Sequence, residues 1–123
     1  MTDPTALGFH YLIELYECNP TKIQDGDWLE DLMTKTVQKS QAHEIGRVFH
    51  RFSPHGVSGV VLISESHFSI HTWPEHQYIA VDLFTCSAET NVSGAYAYLI
   101  KELEAKRYSI TEIKRGIEIN LSS

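Results

Sequence analysis

Residues 57–84, which read VSGVVLISESHFSIHTWPEHQYIAVDLF, are the most informative stretch for predicting the fold. Three short runs stand out in this stretch, at Val57–Ile63, Phe68–Trp73 and Tyr78–Phe84. Each is short and rich in apolar residues, and polar residues are interleaved in places, as is typical of β-strands. Charged residues and a proline separate the runs, as expected of turns. The stretch therefore predicts neighbouring antiparallel strands.

The chain on either side of this stretch adds strands and two helices. Further strands are predicted at His10–Cys18, Glu44–Phe52 and Tyr108–Ile119, the last broken at Gly116. Asp27 looks like a helix N-cap, with Glu30 completing a capping-box pattern. The apolar residues that follow at helical spacing are Trp28, Leu29, Leu32, Met33 and Val37. A second helix carries Val92, Ala95, Tyr96, Leu99, Ile100 and Leu103 at i, i+3, i+4, i+7, i+8 and i+11.

These elements predict an α+β fold, a two-layer α/β sandwich in which two helices cover one face of an antiparallel sheet. A length of 123 residues suits a single domain over residues 1–123. The other face of the sheet lacks cover within one protomer, and this invites a dimer. The single-domain chain is therefore expected to be a homodimer.

Composition limits the partners and the compartment. The net charge of -6 argues against nucleic acid as a partner, because a phosphate backbone needs a basic patch. The sequence contains no apolar run of membrane-spanning length and no signal-peptide pattern, so we expect no membrane association and a cytoplasmic protein. Cys18 and Cys86 are too few for a disulfide scaffold and are expected to be reduced thiols.

The segment from Leu62 to Cys86 concentrates serines, histidines, acids and a thiol, and three kinds of chemistry compete for it. A metal site at His67, His71, His76 and Cys86 is disfavoured, because a His-x-x-x-His pair spans about 13 Å on a strand. A serine or cysteine hydrolase remains open, although Ser66 lacks the Gly-x-Ser-x-Gly setting. Self-cleavage between Glu65 and Ser66 is the third. There the Ser66 hydroxyl attacks the Glu65 carbonyl, and a base and an oxyanion donor assist.

A resemblance decides between these interpretations. Residues 50–86 are very similar to prokaryotic S-adenosylmethionine decarboxylase proenzymes, which are pyruvoyl-dependent enzymes. The matching stretches are HRFSPHGVSGVV (50–61), ISESH (63–67), IHTWPE (70–75), Tyr78 and DLFTC (82–86), with LYEC (15–18) and Lys106-Arg107 outside this region. The similarity covers most of the chain, and motifs this long are specific.

The resemblance implies a role for each matching residue. Self-cleavage would give a β chain of residues 1–65 and an α chain of residues 66–123, with Ser66 becoming the pyruvoyl group that forms a Schiff base with the substrate. Ser58 and His71 would promote processing, with His71 as the base, and Cys86 would donate a proton in turnover. Phe52 would stack on the adenine of the substrate, and Glu75 would bind its ribose. Two protomers would join their sheets around shared active sites.

The implied reaction converts S-adenosylmethionine to S-adenosylmethioninamine and CO₂ for spermidine biosynthesis, so the substrate is a small cationic molecule. Two alternatives remain at this stage. One is a pyruvoyl-dependent arginine or ornithine decarboxylase on the same scaffold, and the other is an unprocessed, non-catalytic regulatory partner subunit. Four positions depart from the family pattern: Phe9, Phe68, Gln77 and Ser87. Phe68 is expected to lie near the substrate, and Gln77 and Ser87 stand where glycine is usual.

Overall fold

A computed structural model describes residues 6–117 of the chain. It contains six strands, at Gly8–Tyr16 (β1), Glu44–Arg51 (β2), Val57–Ile63 (β3), Ser66–Trp73 (β4), Tyr78–Thr85 (β5) and Arg107–Arg115 (β6). Two α-helices span Gly26–Lys39 (α1) and Val92–Leu103 (α2), and short 3₁₀ turns lie at Lys22–Gln24 and Pro74–His76. The predicted strands and both helices are present. Ile119, the predicted end of the last strand, lies outside the described residues.

All the strands belong to one antiparallel sheet in the order β2-β3-β4-β5-β1-β6. The hairpins β2–β3–β4–β5 follow the chain, whereas β1 pairs between β5 and β6. Each register is continuous except for an irregularity between Glu44 and Gly46 in β2. Consecutive hairpins therefore fix which residues of β3, β4 and β5 lie side by side.

Both helices pack on one face of this sheet, as predicted. Alternate strand residues point towards them and form one buried core with the apolar faces of α1 and α2. Its fully buried members include Ile13, Leu15, Ile63, Phe68, Ile70, Leu83, Leu29, Met33, Leu99 and Leu103. The fold is thus the expected two-layer α/β sandwich.

The opposite face of the sheet, called here the open face, is not covered within residues 6–117. Val48 is 70% exposed there, Leu62 50%, Trp73 41% and Val60 37%. An apolar groove on this face is lined by Val48, His50, Ser58, Gly59, Val60, Ser69 and His71. Large apolar side chains at this density indicate a surface suited to contact with another protein.

The N-cap of α1 differs from the prediction. Asp25, rather than Asp27, caps the helix, and its side chain accepts a hydrogen bond of 3.0 Å from the Trp28 amide. Asp27 lies in the first turn and pairs with Arg51 of β2. The capping-box pattern favoured Asp27, but in the folded chain its carboxylate pairs with Arg51 and Asp25 takes the cap position. Neither helix has the length and apolar character needed to span a bilayer.

Candidate active site

The predicted cleavage site lies in the tight turn between β3 and β4, at residues 64–66, called here the cleavage turn. Ser66 has a φ of 155°, a conformation that residues with a Cβ atom rarely adopt. Hairpin pairing fixes it, because Ser66 lies opposite both Ile63 and Thr85. The peptide between Glu65 and Ser66 is therefore held under backbone strain.

The carbonyl oxygen of Glu65 accepts two hydrogen bonds from Cys86, the residue that follows β5. The Cys86 amide donates at 3.0 Å and its thiol lies at 3.1 Å. Two donors on one carbonyl oxygen make its carbon more electrophilic and stabilise negative charge on that oxygen. The geometry suits attack at this carbonyl, which is the predicted site of self-cleavage.

The side chain of Glu65 is held just as firmly. It accepts from the His43 amide at 3.2 Å and from Ser64 Oγ at 3.1 Å, and its other oxygen lies 3.0 Å from His43 Nδ1. These bonds, with the His43 side chain first, lower the pKa of the Glu65 carboxyl to about 2. The Glu65 side chain is therefore an anion held in place by hydrogen bonds with His43, the residue that precedes β2.

A second group of predicted residues surrounds a cavity of about 310 Å³, called here the Phe52 pocket. Its lining includes Phe52, Ser58, His71 and Glu75, all four of which the resemblance singles out. Ser58 Oγ and His71 Nδ1 are hydrogen-bonded at 2.9 Å, because the β3–β4 register sets these residues opposite each other. This contact ties a hydroxyl to an imidazole, the pairing needed to move a proton.

The rim of the Phe52 pocket carries an aromatic side chain and a carboxylate. Phe52 is 51% exposed, and its ring packs edge-on against His50 with centroids 4.5 Å apart. Glu75 lies in the 3₁₀ turn after β4, and its carboxylate is 3.2 Å from His55 Nε2. An exposed ring face and a fixed carboxylate suit a ligand with a flat ring and hydroxyl groups.

The two groups of residues lie at opposite ends of β4. His71 lies five positions after Ser66 along this strand, so their Cα atoms are about 16 Å apart in one chain. The expectation that His71 and Ser58 assist the attack by Ser66 therefore does not hold within a single chain. The structure unites Glu65, Ser66 and Cys86, and it unites Phe52, Ser58, His71 and Glu75, but it keeps the two sets apart.

The prediction that Phe68 lies near the substrate is wrong. Phe68 is 0% exposed and belongs to the core beneath the helices. It shares its face of β4 with Ile70 and Thr72, which are also buried, whereas His71 lies on the open face. Strand alternation therefore assigns Phe68 to packing.

Sequence reasoning missed two histidines that the fold brings to these sites. His43 contacts Glu65 across 22 positions, and His55 contacts Glu75 across the β3–β4 hairpin. The only sequence signal was the nearness of His55 to Phe52. His43 precedes a predicted strand, and nothing local connects it to a turn so far along the chain.

The two cysteines differ in their surroundings. Cys18 is buried, and burial raises the pKa of its thiol to about 11, so this thiol stays protonated and unreactive. Cys86 is exposed and adjoins the cleavage turn. Within residues 6–117, no three His, Cys, Asp or Glu side chains are grouped so that they could hold a metal ion.

Comparison with known proteins agrees with this geometry. Residues 9–116 match the family model described as S-adenosylmethionine decarboxylase. An S-adenosylmethionine decarboxylase proenzyme of Clostridium tetani is 49% identical over 111 residues, which are 90% of this chain and 88% of the relative. One of Thermococcus kodakarensis is 39% identical over 118 residues, covering 96% and 82%.

A solved structure points the same way. The crystal structure of the adenosylmethionine decarboxylase from Aquifex aeolicus superimposes with a TM-score of 0.84 at 38% identity, covering 91% of this chain and 92% of the other. The family model alone matches nearly the whole chain. The match to the Clostridium tetani relative also covers most of that protein's length. The chain therefore belongs to the S-adenosylmethionine decarboxylase family.

Proposed function

We propose that the chain is a self-processing, pyruvoyl-dependent decarboxylase that converts S-adenosylmethionine to S-adenosylmethioninamine and CO₂ for spermidine biosynthesis. It would cleave itself into a β chain of residues 1–65 and an α chain of residues 66–123. One observation carries the proposal: within a member of this family, the carbonyl of Glu65 has two donors and adjoins a strained Ser66.

The cleavage follows from groups in this chain. Ser66 Oγ attacks the Glu65 carbonyl carbon, the C–N bond breaks, and the serine proton ends on the freed amine. The Cys86 amide and thiol hold the negative charge that develops on the carbonyl oxygen. A base then removes the Ser66 Cα proton, the Cβ–O bond breaks, and Glu65 leaves as a carboxylate. The resulting dehydroalanine takes up water and loses ammonia to give the pyruvoyl group.

The residues around Ser66 fit such a group. A pyruvoyl ketone supplies an electron sink for the electron pair that remains when CO₂ departs. The Cys86 thiol contacts the Glu65 carbonyl next to Ser66 and is exposed, so it is the proposed proton donor to the former α-carbon of the substrate. Delivery to that carbon completes decarboxylation.

A second copy of the chain is needed to complete the site. His71 and Ser58 lie about 16 Å from the Ser66 of their own chain, yet the proposed processing needs them beside it. Two sheets packed through their open faces lie about 10 Å apart. We place a two-fold axis midway between the two sheets, parallel to them and perpendicular to the strands. Rotation about this axis makes the strands of the partner run in the opposite direction. The cleavage turn of one protomer then faces the Phe52 pocket of the other.

The open face has the character that such a dimer requires. Val48, Val60, Leu62 and Trp73 are all exposed on it, and burying them would stabilise the dimer. The homodimer would contain two equivalent sites, each built from both protomers. This arrangement reconciles the separation within one chain with the roles that the resemblance implies.

The Phe52 pocket favours a nucleoside-bearing substrate over a bare amino acid. In this proposal the exposed ring of Phe52 stacks on adenine, and the Glu75 carboxylate accepts hydrogen bonds from the ribose hydroxyls. Arginine and ornithine have neither a purine nor a diol, so neither would place a flat base on Phe52 and hydroxyl groups on Glu75 at the same time.

Intact mass under denaturing conditions tests the proposal directly. We expect the purified protein to give two chains that break between Glu65 and Ser66, and Ser66→Ala to give one uncut chain. Cyanoborohydride reduction should add substrate mass to the α chain at the lowest concentration with S-adenosylmethionine, rather than with arginine or ornithine. An uncut parent with no adduct would favour the non-catalytic partner subunit instead.

A further inference from the structure

His43 lies far from the catalytic residues in sequence but is the main contact of the residue whose bond is cut. It immediately precedes β2, and its amide and its Nδ1 reach different oxygens of the Glu65 carboxylate, at 3.2 and 3.0 Å. Its carbonyl oxygen accepts a hydrogen bond of 2.9 Å from the Ser64 amide. Three contacts therefore join His43 to two consecutive residues of the cleavage turn.

The position of His43 complements that of Cys86. Cys86 holds the carbonyl oxygen of Glu65, whereas His43 holds its side chain. Together they fix Glu65 through both its main chain and its side chain, so the peptide plane between Glu65 and Ser66 has little freedom to rotate. An intramolecular attack gains its rate from such restriction, because the reacting atoms no longer have to find their geometry.

Charge gives a second reason for the contact. The attack places a negative charge on the Glu65 carbonyl oxygen, and the carboxylate of the same residue opposes that charge. The Glu65 side chain is only 18% exposed, so water screens this repulsion incompletely, whereas His43 is 79% exposed. An imidazole N–H donated to the carboxylate spreads the charge and keeps it turned towards His43.

We propose that His43 is a positioning residue for self-processing, which holds Glu65 so that the Ser66 hydroxyl attacks its carbonyl. This inference rests on the proposed cleavage at Glu65-Ser66 and extends it to a residue outside the matching motifs. His43 touches no reacting atom. Its effect would fall on the first step, in which the O–C bond forms and the C–N bond breaks, and not on the later elimination or on decarboxylation.

Cell-free synthesis followed by a timed gel assay measures the cleavage rate of the full chain. We expect His43→Ala to slow cleavage about ten-fold, the effect of losing one hydrogen bond that positions a reacting group. His43→Asn places an amide N–H near the position of Nδ1 and should stay within about three-fold of the parent. His76→Ala, which removes an exposed histidine outside both sites, is the matched control and should cleave like the parent.

Hydroxylamine, which cuts the ester formed in the first step, separates positioning from a general loss of structure. In His43→Ala the hydroxylamine-induced cleavage should slow by the same factor as the spontaneous reaction. Melting temperatures compared in the uncut Ser66→Ala background should differ little with and without His43→Ala. Decarboxylase activity per mole of cleaved α chain should equal that of the parent.

The inference is overturned if His43→Ala cleaves at the parental rate, or if His43→Asn is as slow as His43→Ala. Unchanged trapping by hydroxylamine would also overturn it, because the defect would then lie in elimination. A parent chain that never cleaves is a separate result, since it contradicts the proposed function itself.

Discussion

Among the single residues, Cys86 is hydrogen-bonded to the Glu65 carbonyl through two different groups. Its amide donates whatever the side chain is, whereas its thiol donates only as cysteine. We expect Cys86→Ala to slow self-cleavage about five-fold without preventing it, because it removes one weak donor worth about 1 kcal/mol and leaves the amide donor in place. Cys86→Ser keeps a side-chain donor and should cleave faster than Cys86→Ala.

Measurements of turnover would separate the two roles proposed for Cys86. A serine hydroxyl is a much weaker acid than a thiol, so cleaved Cys86→Ser should decarboxylate poorly and lose activity by incorrect protonation. Mass spectrometry of the α chain after turnover would detect the aminated product. Parental turnover in Cys86→Ser would remove this residue from the proposed proton-donor role.

The contact between Glu65 and His43 predicts a dependence of stability on pH. The folded-state pKa of Glu65 lies near 2, below its ordinary value of 4.5. The contribution of Glu65 is therefore present above the ordinary value and is lost as the pH falls towards the folded pKa. Urea unfolding measures the free energy of unfolding of the uncut Ser66→Ala protein with and without Glu65→Gln. We expect Glu65→Gln to lower this free energy at about pH 6, and the difference to shrink below about pH 4. A pH-independent difference would contradict this assignment.

At the scale of elements, the turn between β4 and β5 carries a strained residue. Gln77 has a φ of 50°, which lies in the left-handed region. This is one of the two positions at which the family pattern usually has glycine. Ser87, the other such position, does not have a positive φ among the backbone exceptions of residues 6–117. The departure from glycine therefore carries a backbone cost at Gln77 only.

Gln77→Gly should relieve this strain and stabilise the protein by about 1 kcal/mol, because glycine adopts a positive φ without a steric penalty. The free energy of unfolding of the uncut Ser66→Ala form, with and without Gln77→Gly, measures the effect. Ser87→Gly is the matched comparison and should destabilise slightly, since it only adds freedom to the unfolded chain. Equal effects at both positions would argue against strain at Gln77.

At the scale of the whole molecule, the proposed dimer predicts complementation between inactive chains. Ser66→Ala and His71→Ala chains with different tags should each remain uncut when expressed alone. In a mixed dimer, one site combines Ser66 of the His71→Ala chain with His71 of the Ser66→Ala chain. We therefore expect the His71→Ala chain, and only that chain, to be cleaved after co-expression. A site contained in one chain would leave both uncut.

The amino-acid sequence alone was sufficient to predict the secondary-structure elements and the family. Short apolar-rich runs separated by charged residues and a proline predicted β3, β4 and β5 within residues 57–84, because strand and turn preferences are local properties. The helix carrying Ala95, Leu99 and Leu103 followed from its spacing in the same way. The continuous motifs around Ser66 and His71 were enough to indicate the family, which the comparisons confirm.

Which side chains contact one another depended on the folded chain. Strand register and the order of strands in the sheet bring His43 to Glu65 and His55 to Glu75, and no local pattern encodes contacts at such separations. Burial of Phe68 depended on which face of β4 the helices cover. The distance between Ser66 and His71 likewise depended on β4 being one uninterrupted strand. Because of this strand, residues that are close in sequence lie in two separate groups in the fold.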